Sequence, residues 1–278
     1  MSVSVRVHEG RGPNLVYLPG IHGDWGLIGA FRRALGDRVR FVEFAYSKDD
    51  VTLEHLAELV HAELEKAGVR SGWLLGQSFG SQVAWALIAR GFKADGVVLA
   101  GGFAKHPWPW GARLFRALLS AVPYGVINPV YKGYTVLCNA VARRGPEEAE
   151  ELMAFARARG GRDWKATTWR LKLIAEGDPG PVVRGFAAPV HYLGGGIDPL
   201  VPWPLVVRGL RRDCPGYKGE VILPYADHNV LGSSPASPPS ASSPGSPADP
   251  RFLEEGFAQN SAQNLPLKNR GGSEPEGA

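Results

Sequence analysis

The stretch Trp73-Leu74-Leu75-Gly76-Gln77-Ser78-Phe79-Gly80, with SQVAWALIAR directly after it at 81–90, decides the expected fold. Its apolar start predicts a short buried strand, and residues 81–90 predict the helix that follows. The pattern G-x-S-x-G lies between them, and its glycines allow a sharp turn and a close approach of neighbouring backbone. A serine there lies at the positive end of a helix, where a developing oxyanion is stabilised. The pattern predicts Ser78 as a nucleophile; the alternative is a turn in which Ser78 only caps the helix.

Apolar segments on both sides extend this strand–helix unit into a repeating pattern. Strands are predicted at Val3–Val7, Asn14–Leu18, Val39–Phe44, Trp73–Leu75, Val97–Ala100, Val190–Leu193 and Glu220–Leu223. Helices are predicted at Leu27–Leu35, Glu54–Ala67 and Ser81–Arg90 and near Leu205–Arg211. Strands that alternate with helices at this spacing indicate an α/β protein with a mostly parallel sheet covered on both faces.

The alternation is interrupted at 103–186, where no clear strand is visible. Helical segments are predicted around Arg113–Ala121, Val130–Ala142 and Glu147–Arg159, and the stretch contains eleven aromatic residues. Most arginines of this stretch are expected on solvated helix faces, with contact to an acidic carrier protein or to coenzyme A phosphates as the alternative. We interpret the stretch as a helical insertion between two strands of one domain that spans 1–231.

The composition changes abruptly from Gly232 onward. Residues 233–250 contain seven serines and six prolines, and such a segment buries too little apolar surface to offset the entropy of ordering. We expect a Ser/Pro-rich tail at 232–278 that is largely disordered. Pro250–Phe257 is the exception, because Asp249 is placed to cap one or two helical turns there.

Composition excludes several classes of protein. The 278 residues are 44% hydrophobic and 21% charged, with a formal net charge of +4, so nucleic-acid binding gains little support. No apolar run reaches the roughly 18–20 residues of a membrane span, and the N-terminus lacks the apolar core of a secretion signal. Cys138 and Cys214 form neither a zinc motif nor a disulfide framework and are expected to be small packing residues. We expect a cytoplasmic protein without a metal or a cofactor.

A serine nucleophile needs a base, and the base needs a carboxylate to orient it. Of seven histidines, His228 alone lies in a loop just beyond the last predicted strand. Asp198 follows the strand Val190–Leu193 at the same expected edge of the sheet, so we predict His228 as base and Asp198 as its partner. Alternatively, Asp198 only forms an Asp-Pro turn, and Asp227 or Asp178 is the acid.

The other histidines are weaker candidates for the base. We expect His8, His55 and His61 to be structural or exposed, whereas His106 enters the insertion and His191 lies within a strand.

An oxyanion site needs two backbone N–H groups. One is expected from Phe79, directly after the nucleophile. The other is expected from Ile21 in the loop Pro19-Gly20-Ile21-His22-Gly23, whose glycines allow a tight turn. We expect His22 to shape this loop or to make a local hydrogen bond.

These motifs together resemble the α/β-hydrolase superfamily, over a range from about Val3 to Leu231. The motifs are the PGIHG loop, the GQSFG turn, the G-x-D-x-L-V-P run around Asp198 and the D-H pair that ends in His228. The resemblance implies an eight-stranded, mostly parallel sheet with a helical cap inserted after the sixth strand. It also implies the nucleophile, base, acid and oxyanion donors named above. One departure is that Val230-Leu231 leads directly into the Ser/Pro-rich segment, where relatives have a final helix.

The resemblance is strongest to capped serine esterases and thioesterases. It implies a hydrolase that cleaves a carboxylic ester or thioester through an acyl-enzyme, and the aromatic insertion indicates an apolar or aromatic acyl pocket. An acyl carrier is a further possible partner. The alternatives are C–C bond hydrolysis or cofactor-free peroxidation with the same three residues, or a ligand-binding homologue without activity.

Overall fold

The computed structural model describes residues 2–141 and 146–232. These residues contain seven strands: β1 Val3–His8, β2 Asn14–Leu18, β3 Arg40–Tyr46, β4 Ser71–Gln77, β5 Lys93–Ala100, β6 Val190–Gly195 and β7 Tyr217–Leu223. The helices are α1 Gly29–Leu35, α2 Leu53–Lys66, α3 Gly80–Ala89, α4 Pro109–Ala121, α5 Tyr124–Val141, α6 Pro146–Arg157, α7 Gly161–Glu176, α8 Gly180–Gly185 and α9 Trp203–Asp213. The predicted tail, with its turns at Pro250–Phe257, lies outside the described residues.

The seven strands form one sheet in the order β1-β3-β2-β4-β5-β6-β7. Strand β1 pairs antiparallel with β3, and every other pair is parallel. Strand β4 therefore lies at the centre, and its carboxyl end opens onto the edge where the strand-to-helix loops gather. In open parallel sheets this edge is where ligands bind.

Two details of the expected architecture are wrong for the described residues. The sheet has seven strands rather than eight, because the sequence contains only seven segments with strand patterning and each of them is used. The long helical stretch consequently follows the fifth strand of the chain rather than the sixth, and it contains α4 to α8. The mostly parallel sheet with helices on both faces is as expected.

The alternation of side chains along β2 separates two apolar layers. Val16 and Leu18 pack with α2, α3 and α9 on one face of the sheet. Leu15 and Tyr17 pack with α1 on the other face. Successive residues of a strand point to opposite faces, so the buried run Leu15–Leu18 fits a sheet that is covered on both sides. Cys214 is buried in the first layer, as its expected packing role requires.

The helical stretch contains two helices, α7 and α8, that the sequence pattern did not predict. Helix α7 was missed because its inward face mixes apolar with polar residues: Asp163, Thr167 and Arg170 are buried alongside Leu171 and Ile174. An apolar stripe at helical spacing is the usual signal, and buried polar side chains interrupt it. Within the described part of the chain, no helix combines the length and hydropathy needed to cross a bilayer.

A 3₁₀ turn at Val230–Gly232 ends the described fold. Val230 and Leu231 are buried in the second apolar layer, together with Ile28, Phe31 and Leu35 of the α1 region. The chain that carries His228 is therefore anchored on both sides, by β7 before it and by this apolar contact after it.

Gly80 provides a test of the packing between β2 and α3. A Cβ atom at Gly80 would lie 1.9 Å from the carbonyl oxygen of Leu18, whereas a Cβ atom at Gly209 of α9 would meet nothing within 4 Å. We expect Gly80→Ala to lower the free energy of unfolding by about 1–3 kcal/mol, because overpacking forces the backbone apart. Gly209→Ala should raise it by about 0.5–1 kcal/mol. Urea unfolding followed by circular dichroism measures both, and equal effects would contradict this packing.

Candidate functional site

Three loops at the carboxyl edge of the sheet bring the predicted residues together. Ser78 directly follows β4, Asp198 lies three residues beyond β6, and His228 lies five residues beyond β7. Gly195 makes room for the third loop, since a Cβ atom there would lie 2.2 Å from the carbonyl oxygen of Asp227. Residues far apart in sequence thus meet because parallel strands end at the same edge.

Ser78 has a backbone φ of 50°, and it is the one non-glycine residue with a positive φ in the described chain. Left-handed backbone is costly for a side chain with a Cβ atom and persists only where the surroundings enforce it. Here the Ser78 amide donates to the carbonyl of Ala100 at 3.0 Å, and the backbone N–H and hydroxyl of Ser81 both donate to the Ser78 carbonyl, at 3.0 and 2.6 Å. The turn is therefore held on both sides.

The three side chains form a continuous line of hydrogen bonds. Ser78 Oγ lies 2.8 Å from His228 Nε2, and His228 Nδ1 lies 2.7 Å from Asp198 Oδ2. The second carboxylate oxygen of Asp198 accepts the backbone N–H groups of Leu200 and Val201 at 2.8 and 3.0 Å. Ser78 is only 8% exposed. This geometry places an imidazole to accept the serine proton and a carboxylate to hold the other ring nitrogen.

The charges of the site shift the pKa of both titrating groups. Burial by itself would lower the pKa of His228, but the charge and hydrogen bond of Asp198 outweigh it and raise the pKa above its ordinary value. Burial by itself would raise the pKa of Asp198, yet the contact with His228 and the two backbone N–H groups lower it. Asp198 is therefore ionised near neutral pH, where it stabilises a positive charge on the imidazole.

The rival acids make other contacts. Asp227 accepts the backbone N–H of Asn229 at 2.9 Å, and Asp178 lies 3.8 Å from Lys105 in an exposed ion pair. The rival histidines lie outside the line of hydrogen bonds from Ser78 to Asp198. His8 contacts Glu43. The other four histidines lie on α2 (His55 and His61), before α4 (His106) and on β6 (His191). Of these groups, the structure joins none to Ser78.

The loop after β2 forms a tight turn beside the serine. The N–H of Gly23 donates to the carbonyl of Gly20 at 2.9 Å, which leaves Ile21 and His22 as the central residues of the turn. Ile21 lines the cavity next to Ser78, and Phe79 follows Ser78 at the start of α3. Among the described residues, no acceptor receives the N–H of either Ile21 or Phe79. Both amides are therefore available to a ligand.

Arg170 of α7 holds this turn from the helical stretch, a role that the sequence reasoning missed. Its guanidinium donates to the carbonyl of Ile21 at 2.8 Å and to that of Ser47 at 2.7 Å. Arg170 is only 4% exposed, and burial lowers its pKa. Arg170 and the mostly buried Arg159 are exceptions to the expectation that most arginines of this stretch lie on solvated helix faces. No sequence pattern placed Arg170 on the inward face of α7, because buried polar residues interrupt the apolar stripe of that helix.

A second contact ties the helical stretch to the same loop. Arg159 donates to Asp24 at 2.6 Å and also lies 3.4 Å from Asp163, which Lys48 approaches at 2.8 Å. Arg159 and Asp163 belong to the helical stretch, whereas Asp24 and Lys48 lie in the loops that follow β2 and β3. The helices and the carboxyl edge of the sheet are thus joined by buried or half-buried charges.

A cavity of about 150 Å³ opens beside Ser78. Helices α5 and α6 supply much of its wall: Tyr131, Tyr134, Thr135, Cys138, Leu152 and Phe155. Three of the eleven aromatic residues of the insertion therefore line the cavity, and Cys138 contributes to the wall rather than to the core. A cavity of this volume accommodates a group about the size of benzene.

His22 lies in the cavity wall, as its predicted loop-shaping role allows. Its Nε2 atom lies 3.4 Å from the Tyr131 hydroxyl, and its ring packs edge-on against Phe155. Burial and the charge of Arg159 lower the pKa of His22 to about 4, so the ring is neutral near pH 7. The contacts are local, and His22 makes no hydrogen bond to the line of three residues.

Sequence reasoning also missed a polar line behind the nucleophile. Tyr17 donates to the amide oxygen of Gln77, and the Gln77 amide nitrogen donates to Asn229 at 3.0 Å. This line joins β2, the serine turn and the histidine loop. A sequence signal for this line was present, because Gln77 directly precedes Ser78 and Asn229 directly follows His228. In the ranges 2–141 and 146–232, no group of three His, Cys, Asp or Glu residues is placed to hold a metal ion.

The pKa of His228 gives a direct test of the site. We expect NMR titration of the His228 ring to show a midpoint above that of a free imidazole. Asp198→Asn should move it below that value, because the desolvation of the ring then acts without a compensating charge. Asp227→Asn is the control and should cause a smaller decrease, since Asp227 acts on the ring through its charge alone. Equal decreases would contradict the pairing seen here.

Comparison with known proteins bears on the fold. No family model matches the chain, and no curated protein matches it. Among solved structures, it is similar to a hydrolase from Pseudomonas aeruginosa at 18% identity and a TM-score of 0.69, over 93% of this chain and 94% of that one. A thermophilic esterase from Thermogutta terrifontis superposes at 17% identity and a TM-score of 0.68, over 94% and 93%.

A third similar structure is an α/β-hydrolase enzyme from a Medee basin deep-sea metagenome library. It shares 17% identity and a TM-score of 0.66, over 96% of each chain. The order of the strands and the serine turn at the end of the central strand agree with these superpositions. The chain has the α/β-hydrolase fold.

Proposed function

We propose that this protein is a serine hydrolase that cleaves a carboxylic ester or thioester through an acyl-enzyme intermediate. The observation that carries the proposal is the line of hydrogen bonds from Ser78 through His228 to Asp198. It lies at a strained turn on the carboxyl edge of an α/β-hydrolase fold. Hydrolases and esterases are among the similar structures, which supports the same class of reaction.

The first half of the reaction transfers the acyl group to the enzyme. Ser78 Oγ attacks the carbonyl carbon of the substrate while His228 Nε2 takes the hydroxyl proton. Asp198 stabilises the imidazolium ion that forms. When the tetrahedral intermediate collapses, the bond from carbon to the leaving oxygen or sulfur breaks, and the leaving group takes the proton from His228.

The second half uses water in place of the serine. A water molecule attacks the acyl-enzyme as His228 accepts one of its protons. The intermediate then collapses to release the carboxylic acid, and Ser78 recovers its proton from His228. In both halves we assign stabilisation of the oxyanion to the N–H groups of Ile21 and Phe79, which have no protein acceptor in the described chain and flank the serine.

The cavity walls support a small apolar or aromatic acyl group. Tyr131, Tyr134 and Phe155 bring rings to the space beside Ser78, and its volume of about 150 Å³ excludes a long extended chain. In this proposal α4 to α8 act as a cap that shapes the pocket and limits the access of water. A neutral His22 in the wall adds no charge to the pocket.

A substrate panel tests the reaction directly. With p-nitrophenyl esters of increasing acyl length, we expect turnover to be highest for short or benzoyl groups and to fall for long chains. A fluorophosphonate probe should label Ser78, and Ser78→Ala should lose labelling and turnover by a factor of about 10⁴ or more. Ser81→Ala is not a neutral control, because Ser81 supports the turn; Ser120→Ala, on exposed α4, serves instead. A folded protein that is not labelled would contradict the proposal and favour a binding role.

The pH dependence follows from the raised pKa of His228. The base must be neutral, so kcat/KM should rise as the pH increases through this pKa and fall away below it. Asp198→Asn should reduce kcat by roughly 10³–10⁴ and move the acidic limb of the residual activity to lower pH. An unshifted limb would show that another group limits the rate.

Arg170 is expected to position the turn that presents the Ile21 amide. Arg170→Met removes the donors to the carbonyls of Ile21 and Ser47, so we expect kcat to fall by about ten- to a hundredfold with a smaller change in KM. Arg162→Met is the matched control, since Arg162 is exposed on the same helix. Steady-state kinetics on the best ester of the panel measures both. Equal kinetics for the two variants would contradict this role.

A further inference from the structure

The outer surface of α4 and α5 is apolar and exposed. In the described residues, fifteen large apolar side chains are exposed, and eleven of them lie between 108 and 141. Trp110 is 65% exposed and Val130 is 69% exposed. Single exposed apolar side chains are ordinary, but a contiguous group of them marks an interaction surface.

The pattern along each helix separates this surface from the buried side. On α4, Ala112 is buried, whereas Trp110, Leu114 and Leu118 point outward at a spacing of four residues. Such spacing aligns side chains along one face of a helix.

Helix α5 repeats the arrangement and is apolar on both sides. Its Tyr131 and Thr135 line the cavity, while Val126, Val130 and Leu137 are exposed on the outside. An apolar side of a helix is normally covered. We call the exposed side of residues 108–141 the α4–α5 face.

The charge of this segment restricts what can cover it. Residues 104–141 include four basic side chains, Lys105, Arg113, Arg116 and Lys132, and no acidic one. Two copies of the chain that met through this face would bring like charges together. An anionic surface would instead be attracted to it.

The types of side chain on the α4–α5 face further restrict the partner that can cover it. Trp108 and Trp110 stack on each other near the start of α4, with both rings exposed. Tryptophan with aliphatic residues beside arginine and lysine is the composition of helices that lie in the plane of a bilayer interface. We propose that the α4–α5 face docks the protein on an anionic lipid surface.

The position of the face relative to the cavity gives the docking a consequence. Tyr134 and Leu200 both line the cavity and are both exposed, so the mouth opens next to the α4–α5 face. A docked molecule would have its cavity mouth close to the lipid headgroups, where apolar esters concentrate. The docking itself does not depend on the proposed hydrolysis.

Vesicle sedimentation tests the proposal with the full chain. We expect binding to vesicles that contain phosphatidylglycerol, weaker binding to phosphatidylcholine alone, and a decrease as salt increases. Trp110→Ser with Leu114→Ser should weaken the partition by about tenfold or more, since both side chains would lose apolar burial. Ser78→Ala should bind like the unaltered chain, which separates this test from that of the hydrolase.

A pair of charge variants gives the matched control. Arg113→Gln with Lys132→Gln removes two of the four positive charges of residues 104–141 and should weaken binding to the anionic vesicles. Arg70→Gln with Lys93→Gln removes two charges at the opposite edge of the sheet and should have little effect. Thermal unfolding of each variant verifies that it remains folded.

Three results would overturn the proposal. The first is a full chain that does not sediment with anionic vesicles, and the second is an equal loss of binding in the two charge variants. The third is a concentration-dependent dimer that disappears in the Trp110→Ser, Leu114→Ser variant while no vesicle binding is seen. That last result would assign the face to a second copy of the chain.

Discussion

The left-handed backbone of Ser78 is the constraint on which the rest of the site depends. It lifts the hydroxyl out of the line of β4 and towards the histidine loop, at a cost that the surrounding hydrogen bonds offset. The close approach of Gly80 to Leu18 lets α3 begin immediately after the turn. Without that approach the serine would continue the strand, and its side chain would point into one of the two apolar layers.

The parts of the fold that can be predicted from the sequence are those that depend on local residue patterns. The seven strands are short segments with an apolar run or, in β1, with alternating apolar and polar residues, and each of them is present within a few residues of its predicted bounds. The predicted meeting of Ser78, Asp198 and His228 agrees with the geometry because strand ends converge at one edge. The eighth strand came from resemblance alone, and the described residues contain no segment for it.

The parts that could not be predicted depend on contacts between distant segments. Arg170 is one of many arginines in a basic stretch, and only its burial against the Ile21 carbonyl distinguishes it. Gln77 likewise acquires its role from Asn229, which is far away along the chain. The volume of the cavity depends on how α5 and α6 pack over the sheet, and periodicity does not specify that.

The 3₁₀ turn at Val230–Gly232 couples the base to the outer layer of the fold. His228 is separated by a single residue from Val230, which is buried against the α1 region. Of the described helices, α1 and the 3₁₀ turn cover that side of the sheet. Local opening of such a layer takes less free energy than global unfolding. The geometry around the imidazole therefore depends on this apolar contact as well as on the sheet that contains β7.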